Sequence, residues 1–160
     1  MNKVKDFIIM NVFDLNGRKI GEVKDIAINY YESKVIGFQI STRGFSKKNF
    51  IRKENIVSIS DSIIVDKVFK NQGLIFNDIK DMEIINKEGV LIGIVEDLLI
   101  DIKNFTIRGL LVSTGFFDKF IKGRIVILLS ETILGDGHIL FLGNSKVQLT
   151  TIPQRGVFSD

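Results

Sequence analysis

The chain of 160 residues contains no cysteine and only one histidine. Without cysteine there is no disulfide framework, no thiolate metal site and no cysteine nucleophile. A zinc site built on several histidines is excluded as well, because His138 has no second imidazole to join it. The lack of cysteine is typical of a protein in a reducing compartment, and we expect a cytoplasmic location.

Long apolar runs and helical periodicity are also missing. No stretch approaches the roughly 18 apolar residues that a membrane-spanning helix requires, and the amino terminus lacks the pattern of a signal peptide. The apolar runs have the length of β-strands, as in IVILL at residues 125–129. With 45% apolar residues, the chain can nevertheless bury a core. These features favour a β-rich protein without a transmembrane segment.

The usual motifs for phosphate and metal binding are absent too. None of the fourteen glycines belongs to a G-x-G-x-x-G or G-x-x-x-x-G-K-[ST] motif, and no D-x-[DN]-x-[DN]-G calcium loop occurs. A Ser–His–Asp relay would depend on His138, which follows a Gly-Asp-Gly turn and is more simply an exposed side chain. We therefore expect no catalytic residue, no metal and no cofactor. A carboxylate-only metal or hydrolytic site is the least favoured alternative.

One segment of the sequence occurs twice. GRKIGEVKDIAIN at residues 17–29 returns as GVLIGIVEDLLID at residues 89–101. With an offset of 72 positions, residues 17–45 align with residues 89–117 without a gap, and ten of the 29 pairs are identical. Two copies are too few for a solenoid, so the repeat predicts two small related domains.

Each copy has the pattern of a series of short strands. The pair Asn16-Gly17, flanked by extended runs, predicts a two-residue hairpin turn, and Gly89 takes the same place in the second copy. Gly21 and Gly93 interrupt the following strand, where a residue without a side chain typically marks a bulge or a bend. Closely spaced strands with glycines at fixed places predict small, strongly curved sheets.

The repeated motif G-x-x-I-G-x-V-x-D-(I/L)-x-I-(N/D), followed by an extended run ending in Ser-Thr, resembles the PRC-barrel family. That family includes the small β-barrel of the photosynthetic reaction-centre H subunit and of a ribosome-maturation factor. It also includes short stand-alone bacterial proteins, some of them linked to sporulation. The resemblance implies an all-β chain of two tandem small PRC-like barrels with little helix. It further implies an adaptor or assembly role without family-wide catalytic residues.

The predicted boundaries are residues 5–70 for the first barrel, 71–76 for a linker, 77–151 for the second barrel and 152–160 for a tail. Each barrel alone is near the size at which a single core is marginal, so the barrels are expected to pack together. The sequence leaves open whether the two halves exchange strands and whether the chain forms oligomers.

The repeated carboxylates, Asp25 and Asp97, admit two interpretations. They are metal ligands or a paired acid and base, or they accept backbone N–H groups and fix a strand bulge. The second is favoured, because short acidic side chains often bond to nearby backbone and because these two lie in separate copies. Eight repeated residues are thus expected to define the fold: Gly17, Gly21, Asp25, Gly37, Gly89, Gly93, Asp97 and Gly109.

Positive charge is concentrated in the first half. Residues 1–72 hold 13 Lys/Arg and 8 Asp/Glu, whereas residues 73–160 hold 9 and 11. The stretch RGFSKKNFIRK at residues 43–53 combines cations with aromatic rings, a pattern that suits RNA, an acidic protein or an anionic lipid surface. A solvated loop with its phenylalanines in the core is the simpler interpretation. The candidate partner-binding residues are Arg43, Phe45, Lys47, Lys48, Phe50, Arg52 and Lys53.

The matching stretch of the second copy, residues 115–124, is more apolar. Phe116, Phe120 and Ile121 are candidates for a contact between the barrels or in a homodimer. Since the two loops differ, the two copies are expected to meet different surfaces. The leading hypothesis is a non-enzymatic protein-interaction module with a protein partner. The alternative is RNA or ribonucleoprotein binding through residues 43–53.

Overall fold

The computed structural model describes residues 1–42, 47–70, 73–114 and 124–143. Within these ranges the chain forms fourteen β-strands and four 3₁₀ turns of three residues each. The prediction of an all-β chain with little helix is confirmed. No helix in the described ranges is long and apolar enough to cross a membrane. Five candidate contact residues and the predicted tail lie outside the described residues: Arg43, Phe45, Phe116, Phe120, Ile121 and residues 152–160.

The strands of the two halves correspond one to one. Those of the first half are β1 (Asn2–Lys3), β2 (Asn11–Asp14), β3 (Lys19–Asn29), β4 (Lys34–Thr42), β5 (Phe50–Arg52), β6 (Ile56–Ile59) and β7 (Ser62–Val65). Those of the second half are β8 (Leu74–Ile75), β9 (Glu83–Ile85), β10 (Leu91–Asp101), β11 (Thr106–Ser113), β12 (Arg124–Ile127), β13 (Thr132–Leu134) and β14 (His138–Phe141). The 3₁₀ turns are Val4–Asp6, Lys53–Asn55, Phe76–Asp78 and Leu129–Glu131.

Both halves have the same topology. In the first, six strands are hydrogen-bonded in the order β6-β7-β2-β3-β4-β5, and in the second the order is β13-β14-β9-β10-β11-β12. The pairs β2–β7 and β9–β14 are parallel, and the other pairs in each half are antiparallel. The internal repeat of the sequence is therefore a repeat of one curled sheet.

The curvature comes from bulges and close strand contacts in the long strands. The pairing of β3 with β4 skips Lys24, and the pairing of β10 with β11 skips Glu96. A bulge of this kind bends its strand and increases the local twist. At Gly21 an added Cβ atom would lie 2.1 Å from the carbonyl oxygen of Ser41, so only glycine allows this approach. Backbone also closes on the other repeated strand glycines: Gly37, Gly93 and Gly109.

The hairpin turns differ from the predicted two-residue type. The N–H of Gly17 donates to the carbonyl oxygen of Asp14 at 3.0 Å, and the N–H of Asp14 donates to the carbonyl oxygen of Arg18 at 2.9 Å. The pair Asp14 and Arg18 therefore encloses a loop of three residues. Only Gly17 has a positive φ there, at 74°, whereas a two-residue type I′ turn needs two such residues. The Asp14 carboxylate accepts the N–H groups of Asn16 and Arg18 and thereby favours the longer loop. Gly89, with φ of 76°, closes the matching loop.

The two halves exchange their first strands. Strand β1 pairs with β10 of the second half, and β8 pairs with β3 of the first half. The sheets also join at β4 and β11, where Lys34 lies opposite Thr106. Leu74 and Ile75, which fall in the predicted linker at residues 71–76, form β8 and complete the sheet of the other half. Apolar residues beside a glycine can form an edge strand when a distant partner is available, which local sequence does not reveal.

One continuous hydrophobic core spans both halves. In the first half the ring centroids of Phe7 and Phe38 lie 5.5 Å apart. In the second half Leu98 and Leu110 are fully buried. A buried hydrogen bond of 2.7 Å joins the hydroxyl groups of Tyr30 and Thr132 across the halves. Separation of the halves would expose this shared apolar surface, so the two barrels form one packed unit.

The two halves have different residues at one matching backbone position with a positive φ. Ile9 has φ of 66° although it is 75% exposed, and Asp81 takes the matching position with φ of 64°. A β-branched residue is strongly disfavoured in this region, whereas Asn and Asp tolerate it. We predict that Ile9→Asn raises the free energy of unfolding by about 1 kcal/mol, measured by urea denaturation.

The matched variant Asp81→Ile introduces the same strain into the second half. It is expected to lower the free energy of unfolding by a similar amount. A stabilising effect of Asp81→Ile, or a loss of stability in Ile9→Asn, would contradict the assignment of strain to Ile9.

Candidate functional site

The two repeated carboxylates are buried at the strand bulges. Asp25 is 5% exposed and Asp97 is 6% exposed. Asp25 Oδ1 accepts the N–H of Ile26 at 2.7 Å, and Asp97 Oδ1 accepts that of Leu98 at 2.8 Å. Each carboxylate therefore binds the backbone next to its own bulge, as side chains of this type commonly do.

Each carboxylate also binds the opposite half. Asp25 Oδ2 accepts the N–H of Asn77 at 3.0 Å, and Asp97 Oδ1 accepts the N–H of Val4 at 2.8 Å. Asn77 and Val4 lie in the 3₁₀ turns that follow the exchanged strands. The bulge of one half is therefore bonded to the exchanged segment of the other, in both directions.

A cavity of about 620 Å³ lies between these two contacts. Its walls come from both halves, and both Asp25 and Asp97 line it. The sequence argument that separate copies keep the two carboxylates apart is therefore wrong. The exchange of strands brings the two bulges to one cavity, and no local pattern in the sequence reports a strand exchange.

Three lysines also line this cavity: Lys5, Lys24 and Lys80. Among the described residues, no carboxylate lies within 4.0 Å of any of these three ammonium groups. Glu96 lines the cavity as well, but Arg124 binds it with a shortest N–O distance of 2.6 Å. The lining thus contains three lysines outside ion-pair distance of any described carboxylate, two buried carboxylates and the paired Glu96.

Burial raises the pKa of Asp25 above its ordinary value of 3.8. The nearby charge of Asp78 acts in the same direction, although it contributes less than burial. The N–H groups of Ile26 and Asn77 and the positive charge of Lys24 oppose the increase. Asp25 therefore holds its proton more tightly in the folded protein than in the unfolded chain.

The predicted basic stretch is divided between core and surface. Lys47, Lys48 and Arg52 are exposed, and Lys53 is half-buried. Phe50 is only 4% exposed within β5, so its ring is not available to stack on a partner. The position of Phe50 in the core therefore does not support its prediction as a contact residue.

The aromatic ring of Phe69 lies beside two cations at this surface. The guanidinium carbon of Arg52 lies 4.2 Å from the centroid of the Phe69 ring, and Lys67 Nζ lies 5.2 Å from it. Phe69 reaches this place because its backbone bridges to Phe50. Sequence analysis missed Lys67 and Phe69, since the bridge joins segments that are distant in the chain. We call the exposed residues Lys47, Lys48, Arg52 and Lys67 the basic face.

Part of the matching surface of the second half is apolar, although Lys48 matches another cation, Arg124. After the loop between the fourth and fifth strands the offset between halves is 76, which matches Arg52 with Leu128 and Asp66 with Leu142. Leu128 and Leu142 are 48% and 37% exposed. Both lie next to Glu131, whose backbone bonds to each of them. With the exposed Ile133 on β13, they form what we call the apolar face.

The remaining candidate, His138, is exposed at the start of β14. Within the described part of the chain, no group of three or more histidine, cysteine or acidic side chains is placed to hold a metal ion.

The bond between Val4 and Asp97 can be removed with one substitution. Val4 is the first residue of its 3₁₀ turn, where proline fits but lacks the N–H group. Val4→Pro leaves the buried carboxylate without its partner from the other half. We expect it to lower the free energy of unfolding by about 2 kcal/mol more than Val4→Ala, measured by urea denaturation.

Val4→Ala is the control because it shortens the side chain and keeps the donor. Equal losses in the two variants would show that the hydrogen bond adds nothing to stability.

The raised pKa of Asp25 predicts a dependence of stability on pH. A raised folded-state pKa stabilises the protein fully below the unfolded value of 3.8, and this contribution is lost as the pH rises through the folded-state pKa. Relative to Asp25→Asn, which does not titrate, the wild type should gain free energy of unfolding as the pH falls towards 3.8. Urea denaturation of both proteins across this range measures the gain. A difference that is constant with pH would contradict it.

Comparison with known proteins agrees with the architecture. The model of the PRC-barrel domain matches the chain twice, over residues 1–72 and residues 73–146. Each matched segment begins just before an exchanged strand and contains one curled six-stranded sheet. No significant match is found among curated proteins. Because the two matches cover most of its length, the chain belongs to the PRC-barrel family and consists of two tandem PRC-barrel domains.

Proposed function

We propose that this protein is a non-enzymatic adaptor that holds two different macromolecular surfaces, one on each barrel. The observation that carries the proposal is the contrast between the basic face and the apolar face. Arg52 and Leu128 occupy matching positions on one repeated backbone, yet one presents a cation and the other an aliphatic side chain. A repeat that served one kind of partner twice would have no need for this difference.

The connection between the barrels supports an adaptor role. The exchanged strands, the shared core and the bonds from Asp25 and Asp97 link the halves at several places. Relative motion of the barrels would break buried hydrogen bonds and expose apolar surface, both of which are costly. Partners bound to the two faces are therefore held in a fixed relative orientation.

The basic face suits an acidic protein surface. Its cations are exposed and belong to the half that carries a clear excess of Lys and Arg. Charges of this kind speed association and select partners of opposite charge, and their effect weakens as salt is added. The apolar face suits an apolar surface on a second protein, because exposed apolar residues grouped together favour protein contact.

RNA or ribonucleoprotein binding at the basic face is the second candidate. The arrangement of Arg52 and Lys67 about Phe69 favours it, since cations beside an aromatic ring are common in nucleic-acid surfaces. The burial of Phe50 weighs against it, because one of the two described rings cannot reach a base. A protein partner is accordingly our first choice.

We extend the proposal to a non-catalytic role in a bacterial cytoplasm. The resemblance to short stand-alone bacterial PRC-barrel proteins, some of them linked to sporulation, motivates the role and the source, and the lack of cysteine motivates the compartment. In this proposal the buried carboxylates have a structural role. Asp25 and Asp97 are bonded to backbone N–H groups and serve the fold.

Affinity capture with paired variants tests the adaptor proposal. The tagged full chain is compared with Lys47→Glu/Lys48→Glu on the basic face and with Leu128→Ser/Leu142→Ser on the apolar face. Each variant should lose one set of captured proteins and keep the set that the other variant loses. Charge reversal at Lys87 and Lys103, in the turns on either side of β10, is the control and should lose neither.

Nuclease treatment of the lysate separates the two candidate functions. Capture that survives nuclease and depends on Lys47 and Lys48 supports a protein partner. Capture that disappears with nuclease supports the RNA alternative. Retention of every captured protein by both face variants would reject the adaptor proposal.

A further inference from the structure

We infer that the cavity between the two barrels binds a small organic phosphate that also carries hydroxyl groups. The adaptor role does not require this site, and the two proposals stand on different surfaces. The volume of about 620 Å³ is within the usual range for small-molecule sites, and such sites are common where two domains meet.

The lysines supply the attraction for a phosphate group. Lys5 lies in the 3₁₀ turn after β1, Lys24 at the bulge of β3 and Lys80 just beyond the turn after β8. The three lysines therefore line the cavity from separate elements of the fold. Since no described carboxylate pairs with them within 4.0 Å, a dianionic phosphate would gain their charge without having to displace an ion pair.

Asp97 is the reason why the ligand must carry a hydrogen-bond donor. Its Oδ1 atom accepts two backbone N–H groups, but no described residue donates to its Oδ2 atom. Both oxygens of Asp25, by contrast, accept a backbone N–H. An unpaired oxygen on a carboxylate that is 94% buried is costly, and a ligand hydroxyl group would satisfy it.

The walls of the cavity are chemically asymmetric. Lys24 in one half matches Glu96 in the other, and Ile8 matches Lys80. The repeated backbone presents a ligand with two matching walls, but these exchanges make the two walls chemically different, so the two orientations of a ligand are not equivalent. Ile8 and Phe76 line the cavity too and provide contact for a short carbon chain.

The test is a titration of the ¹⁵N-labelled full chain with glycerol 3-phosphate, which combines a phosphate with hydroxyl groups. Sulfate offers charge without a donor, and glycerol offers donors without charge. We expect saturable shifts of the amide signals of Lys24, Asn77 and Lys80, with a Kd near or below about 1 mM. Sulfate and glycerol should each bind at least about tenfold more weakly, since each lacks one set of contacts.

Variants of the exposed lysines distinguish a site from general charge attraction. Lys24→Ala and Lys80→Ala should each weaken glycerol 3-phosphate binding by about fivefold or more. Lys87→Ala removes the same charge in the turn between β9 and β10 and should leave the Kd unchanged. The proposal is overturned if the shifts do not saturate, if sulfate binds as tightly as glycerol 3-phosphate, or if Lys87→Ala weakens binding equally.

Discussion

The hydrogen bonds that Asp25 and Asp97 accept across the two halves are the interaction on which the rest of the structure depends. A buried carboxylate needs donors to offset the loss of water. Here one donor for each comes from its own strand and another from the exchanged segment of the opposite half. Either carboxylate therefore receives both of its backbone donors only when the two barrels are packed together, and the tandem repeat becomes a single unit.

The bulges at Lys24 and Glu96 connect the curvature, the cavity and the interface. An extra residue in each long strand bends the sheet and turns the following aspartate towards the other half. The same bend places the bulged side chains at the cavity wall. One local irregularity, present twice, thus contributes to the curl of the sheet, helps to join the halves and borders the space between them.

The residues that shape the backbone are kept in both halves, whereas exposed positions differ in charge and polarity. The glycines and aspartates that shape the backbone are the same in both copies, because a side chain at Gly21 or a different group at Asp25 would disrupt strand contacts or bulges. Exposed positions have no such constraint. Arg52 and Leu128 could therefore diverge without a cost to the fold, which gives one architecture two chemically distinct faces.

The sequence by itself determined the repeat, the all-β class and the positions of the bends, because these follow from local features such as strand alternation and glycine spacing. Only the tertiary structure decided that β1 and β8 are exchanged, that Asp25 and Asp97 share a cavity, and that Phe69 lies beside Arg52. These contacts join residues that are far apart in the chain, and the apolar pattern of a short strand is the same whichever half it pairs with. The partner of an edge strand is selected by the packing of the whole molecule.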